Sequence, residues 1–210
     1  MSAPYKEVFH VEHWPSGRGD VSRETQGRLE QFADLLVRWN VRINLVSRAD
    51  TDVIWGRHVV DSIQLVDLIP SGTNRAVDLG SGAGFPGLVL AIVTGIEFDL
   101  IESDQRKAAF LREAARVTGA PARIHATRIE SANVAPAMLV TARALAPLPL
   151  LLDLAHRFLL PGAVALFPKG AEADRELTEA GRTWNMHVER FQSQTAKEGA
   201  ILKLSEVVRG

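Results

Sequence analysis

Apolar positions along this chain change period several times, and each change marks an element. Leu29, Phe32, Ala33, Leu36 and Trp39 recur at three- and four-residue spacing, which predicts a helix capped by Asp20 or Ser22 and running to about Trp39. Ile54, His58, Ile63, Leu65 and Val66 give a second helical face, from about Asp50–Asp52 to Leu68, before Pro70-Ser-Gly-Thr-Asn74 breaks the chain. Short apolar runs then alternate with helical patterns. The runs are Ala76–Leu79, Glu97–Glu102, Ala122–Ala126, Met138–Ala142 and Ala163–Phe167. The helical stretches are Leu88–Val93, Gln105–Arg116, Pro147–Phe158 and Glu172–Gly181. That alternation predicts an α/β fold with a parallel sheet. Met186–Phe191 and Ala200–Val208 read as two final strands, a closing hairpin at the sheet edge. On this reading residues 1–72 are an arm and a helical extension, and residues 73–210 are one compact α/β core.

The densest signal follows the first strand. Gly80, Gly82, Gly84 and Gly87 crowd into one turn between Asp78 and an apolar helix. Strand, glycine turn and helix form the ligand-binding unit of open α/β sheets, with the ligand outside the strand's carboxyl end. Gly82, Gly84 and Gly87 match the spacing of a dinucleotide-binding turn. Asp78 at the strand end and Phe85-Pro86 at the helix start argue against that reading, because they do not leave an open cradle of amides for a pyrophosphate. The D-x-G-x-G-x-G form is instead that of Rossmann-like S-adenosylmethionine (AdoMet) methyltransferases, in which Asp78 would accept hydrogen bonds from a cationic or hydroxylated ligand.

Other candidates fall on the same rim. Glu102 ends the second strand, 22 residues after Gly80, where a carboxylate takes ribose hydroxyls. Ile129 and Glu130 follow the third strand, where an adenine ring would lie. Arg143 ends the fourth strand, suited to a carboxylate or a phosphate, and Lys169-Gly170 ends the fifth. Arg57 and Asp61 stand four apart, the spacing of a surface ion pair. His58 beside them reads as a packed histidine and not as a proton-transfer group.

Composition narrows the function classes. The 210 residues are 46% hydrophobic, enough for one substantial core, with a formal net charge of -1. Bulk electrostatic attachment to nucleic acid is therefore not indicated, whereas a local basic patch on an enzyme remains open. Cysteine is absent, which excludes disulfides, thiolate catalysis and cysteine metal sites; no metal site is expected. The first residues lack the apolar centre of a signal peptide, and no run reaches the ~20 apolar residues of a membrane span. A cytoplasmic protein is the expectation.

With the motifs placed, the chain resembles the RsmG (GidB) family of 16S rRNA guanine-N7 methyltransferases. The resemblance rests on Asn44-Leu45, Arg57-His58-Val-Val-Asp61-Ser62, Val77-Asp-Leu-Gly-Ser-Gly-Ala-Gly-Phe-Pro-Gly87 and Glu102-Ser103. It continues through Arg106-Lys107, Phe110-Leu111-Arg112, Thr141-Ala-Arg143-Ala144, Pro147-Leu148 and Lys169-Gly170. The resemblance implies a seven-stranded, mostly parallel sheet with helices on both faces. It implies AdoMet as cofactor, with contacts at Gly80, Phe85, Ile129, Glu130 and Arg143, beside Asp78, Gly82, Gly84 and Glu102 read from the motif. It implies a guanine of the decoding-region loop of 16S rRNA as acceptor, in the small ribosomal subunit or an assembly intermediate, with no obligate protein partner. Guanine N7 carries an in-plane lone pair, so no catalytic general base is expected; the task is to hold N7 in line with the methyl at ~3–3.5 Å. Arg57, His58 and Lys169 are the candidate substrate-RNA contacts. The arm through Gly19 matches no family pattern. A nicotinamide oxidoreductase would need a second catalytic constellation that the sequence lacks, and a methyltransferase acting on another RNA or a small molecule is the alternative within the same fold.

Overall fold

The computed structural model describes residues 21–47 and 54–210. The arm, Asp20 as a cap and the helix start at Asp50–Asp52 lie outside those residues. Five strands, β1 (Arg75–Leu79), β2 (Glu97–Ile101), β3 (Ala122–His125), β4 (Ala137–Ala142) and β5 (Leu159–Lys169), run parallel. With β6 (Trp184–Gln192) and β7 (Ala200–Arg209) they form one seven-stranded sheet of order β3-β2-β1-β4-β5-β7-β6. This is the seven-stranded, mostly parallel sheet the resemblance implies.

Successive residues of each inner strand feed opposite cores, the period-two consequence of the pleat. Ala76, Leu100, Leu139, Val164, Leu166 and Ile201 enter one core. Their neighbours Val77, Ile101, Val140, Ala165, Phe167 and Leu202 enter the other. The first core is covered by α1 (Arg23–Asn40), α3 (Gly87–Thr94) and α4 (Gln105–Thr118). The second is covered by α5 (Leu148–Ala155) and α6 (Ala173–Ala180). Helices therefore lie on both faces. The α1 helix starts where Ser22 accepts a hydrogen bond from the Thr25 N–H at 3.1 Å, a side-chain cap for an otherwise orphan donor. It buries Leu29, Phe32, Ala33, Leu35 and Leu36, and its rings interlock with α4. Phe32 and Trp39 lie 6.2 and 5.7 Å from Phe110, centroid to centroid.

Three expectations change. The second helix is not one helix. A π turn at Trp55–Val59 is followed by a short α-helix, α2 (Val60–Ile63), and a 3₁₀ turn at Val66–Leu68. A π turn inserts one residue per turn, so it rotates the residues downstream of it and hides the 3.6-residue period. β5 begins earlier than Ala163, because Leu159 pairs with Ala137 and the register then shifts around Pro161-Gly162 before Val164 meets Leu139. This is where proline and glycine are tolerated in a strand. The final hairpin forms, but β7 is interior, between β5 and β6. Its Ile201, Leu202 and Leu204 are buried, whereas β6 is largely exposed and takes the edge.

Phe110 is fully buried between the extension and the core. Truncation of such a ring removes about 3–5 kcal/mol. Phe110→Ala is expected to lower the unfolding free energy by that amount in urea titration; a loss under about 1 kcal/mol would mean that α1 is not part of the same core.

Candidate active site

The glycine turn folds around a carboxylate. Asp78 is fully buried, its Oδ1 accepts the Thr141 hydroxyl at 2.6 Å, and its Oδ2 finds no hydrogen-bond partner. Burial pushes its pKa up to about 6, opposed by the Thr141 and Ser81 hydroxyls and by the charge of Arg143. Helix α3 starts directly against it. A Cβ on Gly87 would lie 2.5 Å from the Asp78 Cβ and 2.7 Å from Oδ2, so only glycine lets the helix approach this closely. Asp78 therefore does not line the cavity. The carboxylate lies beneath the turn, outside the set of residues that line the cavity above it.

Above it the turn lines a cavity of about 540 Å³, within the range of small-molecule sites. Gly80 and Gly82 form one wall. Gly80 has φ +63°, and a Cβ there would sit 2.6 Å from the Leu145 Cδ1. Gly84 is withdrawn behind this wall, against Leu88 and Leu111. Glu102 lies at the cavity's edge and joins the turn to β2. Its Oε2 accepts the Gly82 N–H at 2.8 Å and its Oε1 accepts the Asp104 N–H at 2.7 Å. A carboxylate has about four acceptor sites, so each oxygen keeps a lone pair for a hydroxyl. Ile129 and Glu130 enter from a 3₁₀ turn after β3 and complete the far end.

The near end is closed by the extension. The π turn carries His58 onto the Phe85 ring, centroids 5.0 Å apart and 26° between planes. The Arg143 guanidinium lies 5.1 Å from the centroid of the same ring. Its Nη2 is 2.9 Å from the His58 Nδ1. Arginine has no acceptor, so this bond requires Nδ1 to present its lone pair and His58 to be the Nε2–H tautomer. Arg143 Nη1 meets the Asp61 Oδ2 at 3.0 Å. Asp61 is thus paired with Arg143, the residue that follows β4. The guanidinium forms a shared wall: beyond it opens a wider groove of about 1780 Å³, also lined by Arg57, Asp61, Lys169 and the turn between β6 and β7.

Lys169 reaches this groove already engaged. Its ammonium donates to the Ala146 carbonyl at 2.7 Å and pairs with the Glu176 Oε2 at 2.8 Å. The same Glu176 oxygen accepts the Leu148 N–H at the start of α5. Through this ion pair Lys169 joins the end of β5 to α6 and to the start of α5. Sequence reasoning missed Leu45 and Val46, which line the cavity because the Asn40 side chain accepts both their N–H groups. It also missed the Ala144-Leu145 turn, in which Ala144 holds a left-handed φ of 51°. Neither has a periodic signal; the loop of residues 41–46, Val-Arg-Ile-Asn-Leu-Val, mixes apolar and polar residues with no helical or alternating repeat.

Among the described residues no group of carboxylates and histidines is arranged to hold a metal ion, and no helix is long and apolar enough to cross a membrane. Solved structures with similar folds include a TehB-like SAM-dependent methyltransferase from Corynebacterium glutamicum (TM-score 0.56, 17% identity, 84% of this chain and 98% of that one). Another is an O-methyltransferase from Bacillus cereus in complex with SAH (TM-score 0.57, 12% identity, 94% and 100%). At those identities they establish the Rossmann-like class I methyltransferase fold. Closer relatives carry more. The ribosomal RNA small subunit methyltransferase G of Rhodospirillum centenum is 60% identical over 187 residues, 89% of this chain and 87% of that one. That of Granulibacter bethesdensis is 52% identical over 195 residues, covering 93% and 91%. The family model of rRNA small subunit methyltransferase G matches residues 25–204, and the chain belongs to that family of AdoMet-dependent rRNA methyltransferases.

Proposed function

We propose that this protein methylates N7 of a guanine in the decoding-region loop of 16S rRNA, with AdoMet held in the glycine-turn cavity and the nucleotide presented from the adjoining groove. The observation that carries this reading is the wall the two spaces share, formed by Arg143 and His58. Residues at the cavity fit AdoMet. Glu102 retains lone pairs for two ribose hydroxyls, Ile129 offers an apolar surface and Glu130 an acceptor to adenine. The backbone of Gly80 and Gly82 admits the chain between them without a side chain in the way. The buried charge of Asp78, short of one partner, favours a cationic ligand. When bound, AdoMet supplies an electrophilic methyl group to the guanine N7 lone pair.

The chain's own residues then bind and orient. Phe85, which contacts both His58 and Arg143, makes a floor at the passage between cavity and groove. His58 is held by Arg143 as a fixed hydrogen-bond donor and removes no proton, as N7 alkylation requires none. Arg57, exposed on the groove rim, is the phosphate contact from this segment. With a net charge of -1, recognition rests on local charge and shape. The substrate is accordingly an assembled small subunit or a late intermediate in the cytoplasm.

Tritiated methyl transfer tests the reading. Wild-type protein is expected to label small subunits that lack the modification at least tenfold faster than naked 16S rRNA, and to leave a metabolite panel unlabelled. Equal rates on both RNA substrates would reject the assembled-particle acceptor, and labelled metabolites with unlabelled RNA would reject the acceptor class. The carboxylate of Asp78 gives a second test. Its pKa of about 6 means that acidification neutralises the charge beneath the turn. AdoMet affinity measured by calorimetry should fall between pH 7.5 and pH 5, about severalfold, while affinity for the uncharged thioether product S-adenosylhomocysteine should change much less. Asp78→Asn should flatten the difference; a pH response shared by both ligands would contradict it.

A further inference from the structure

We infer that the turn between β6 and β7, residues 193–199, is the RNA-gripping wall of the groove, set in position by Asp61 and Gln64 and contacting the RNA backbone through Lys197. This rests on the reading that the acceptor RNA enters that groove. Surface hairpin turns are ordinarily held only by their own strands. This one is also tied to a segment 130 residues away in sequence: the Gln194 N–H donates to the Gln64 Oε1 at 2.9 Å. The Thr195 hydroxyl donates to the Asp61 Oδ1 at 2.5 Å, which also accepts the Gln64 amide at 2.7 Å. The other oxygen of Asp61 holds Arg143. One unbroken chain of hydrogen bonds thus runs from the turn to the wall of the cofactor cavity.

The turn is stiff as well as tethered. The Gln192 side-chain amide donates to the Lys197 and Gly199 carbonyls, both at 3.0 Å. The Ser193 hydroxyl accepts the N–H groups of Thr195 and Ala196, both at 3.2 Å. A fixed loop presents its side chains at low entropic cost on binding. Lys197 lines the groove and is exposed. The other cations toward the sheet are spoken for, Lys169 by Glu176 and Arg143 by Asp61. Among the described residues no such ion pair is made by Lys197, so its charge is available to a phosphate. Asp61 and Gln64 act through the turn and are positioning residues.

The test is equilibrium binding of unmodified small subunits over a range of salt concentrations, with AdoMet affinity measured in parallel. One phosphate contact contributes about 0.7–0.9 to the slope of log affinity against log salt. Lys197→Ala should weaken subunit binding by about threefold to tenfold and reduce the slope by that amount, with AdoMet affinity at the wild-type value. Glu198→Gln, which removes the neighbouring negative charge on the same rim, should tighten binding; a merely structural turn would not give opposite signs. Thr195→Val should weaken subunit binding and Thr195→Ser should restore it. Lys197→Ala with unchanged affinity and slope overturns the inference. So does Thr195→Val weakening AdoMet binding as strongly as subunit binding. A wild type that binds no subunits rejects the acceptor reading and this inference with it, and that result is visible before any variant is compared.

Discussion

A carboxylate cut off from water sets the architecture of this site. Asp78 lies at the end of β1 with Thr141 of the adjacent strand on one oxygen. The start of α3 presses against the other, so closely that Gly87 has no room for a Cβ. A buried charge of this kind is unfavourable unless the structure or a ligand compensates it. Here compensation is partial: the Thr141 and Ser81 hydroxyls, the positive charge of Arg143 and, least of all, the Gly87 N–H. The path of the glycine turn is a consequence. The chain must leave the strand, clear Leu145 at Gly80, donate to Glu102 from Gly82, and return at Gly87. The same path lines the cavity.

Around that centre, the N-terminal extension supplies part of the cavity lining, at Leu45, Val46 and His58. α1 seats its aromatic face on α4, and the π turn beyond it brings His58 and Asp61 to Arg143. Three chain regions distant in sequence, residues 57–64, the end of β4 and the β6–β7 turn, meet at one guanidinium and one carboxylate. Removing one partner from such a partly buried ion pair leaves the other uncompensated, so both walls of the groove depend on the pair. The cavity and the groove therefore share this wall.

The strands and the long helices are legible in the sequence because their signals are local. Continuous apolar runs such as Ala76–Leu79 and Ala163–Phe167 mark strands buried on both faces, and Leu29 to Trp39 keeps a single helical period. Ser22 is legible as a cap for the same reason. The lining of the cavity is legible at Gly80, Gly82 and Glu102, since their spacing reflects the turn itself. The features the sequence hides are set by partners far along the chain. Nothing in Asp78's neighbours says that Gly87 will fold back over it, and nothing near Lys169 identifies Glu176 as its counter-ion. The π turn erases the period of residues 54–68, so Asp61 reads as a surface charge when it is a joint between elements. Leu45 and Val46 enter the cavity only because Asn40 folds its side chain over their amides.

The central claim is that this turn and cavity serve methylation of one guanine in 16S rRNA. Nucleoside mass spectrometry of 16S rRNA, from cells lacking the protein and from cells complemented with it, addresses that claim most directly. A single 7-methylguanosine is expected to disappear on deletion. Wild type should restore it and Gly80→Asp should not, since a side chain there strikes Leu145 and fills the cavity wall. A 7-methylguanosine content that is unchanged by deletion would contradict the claim at its acceptor.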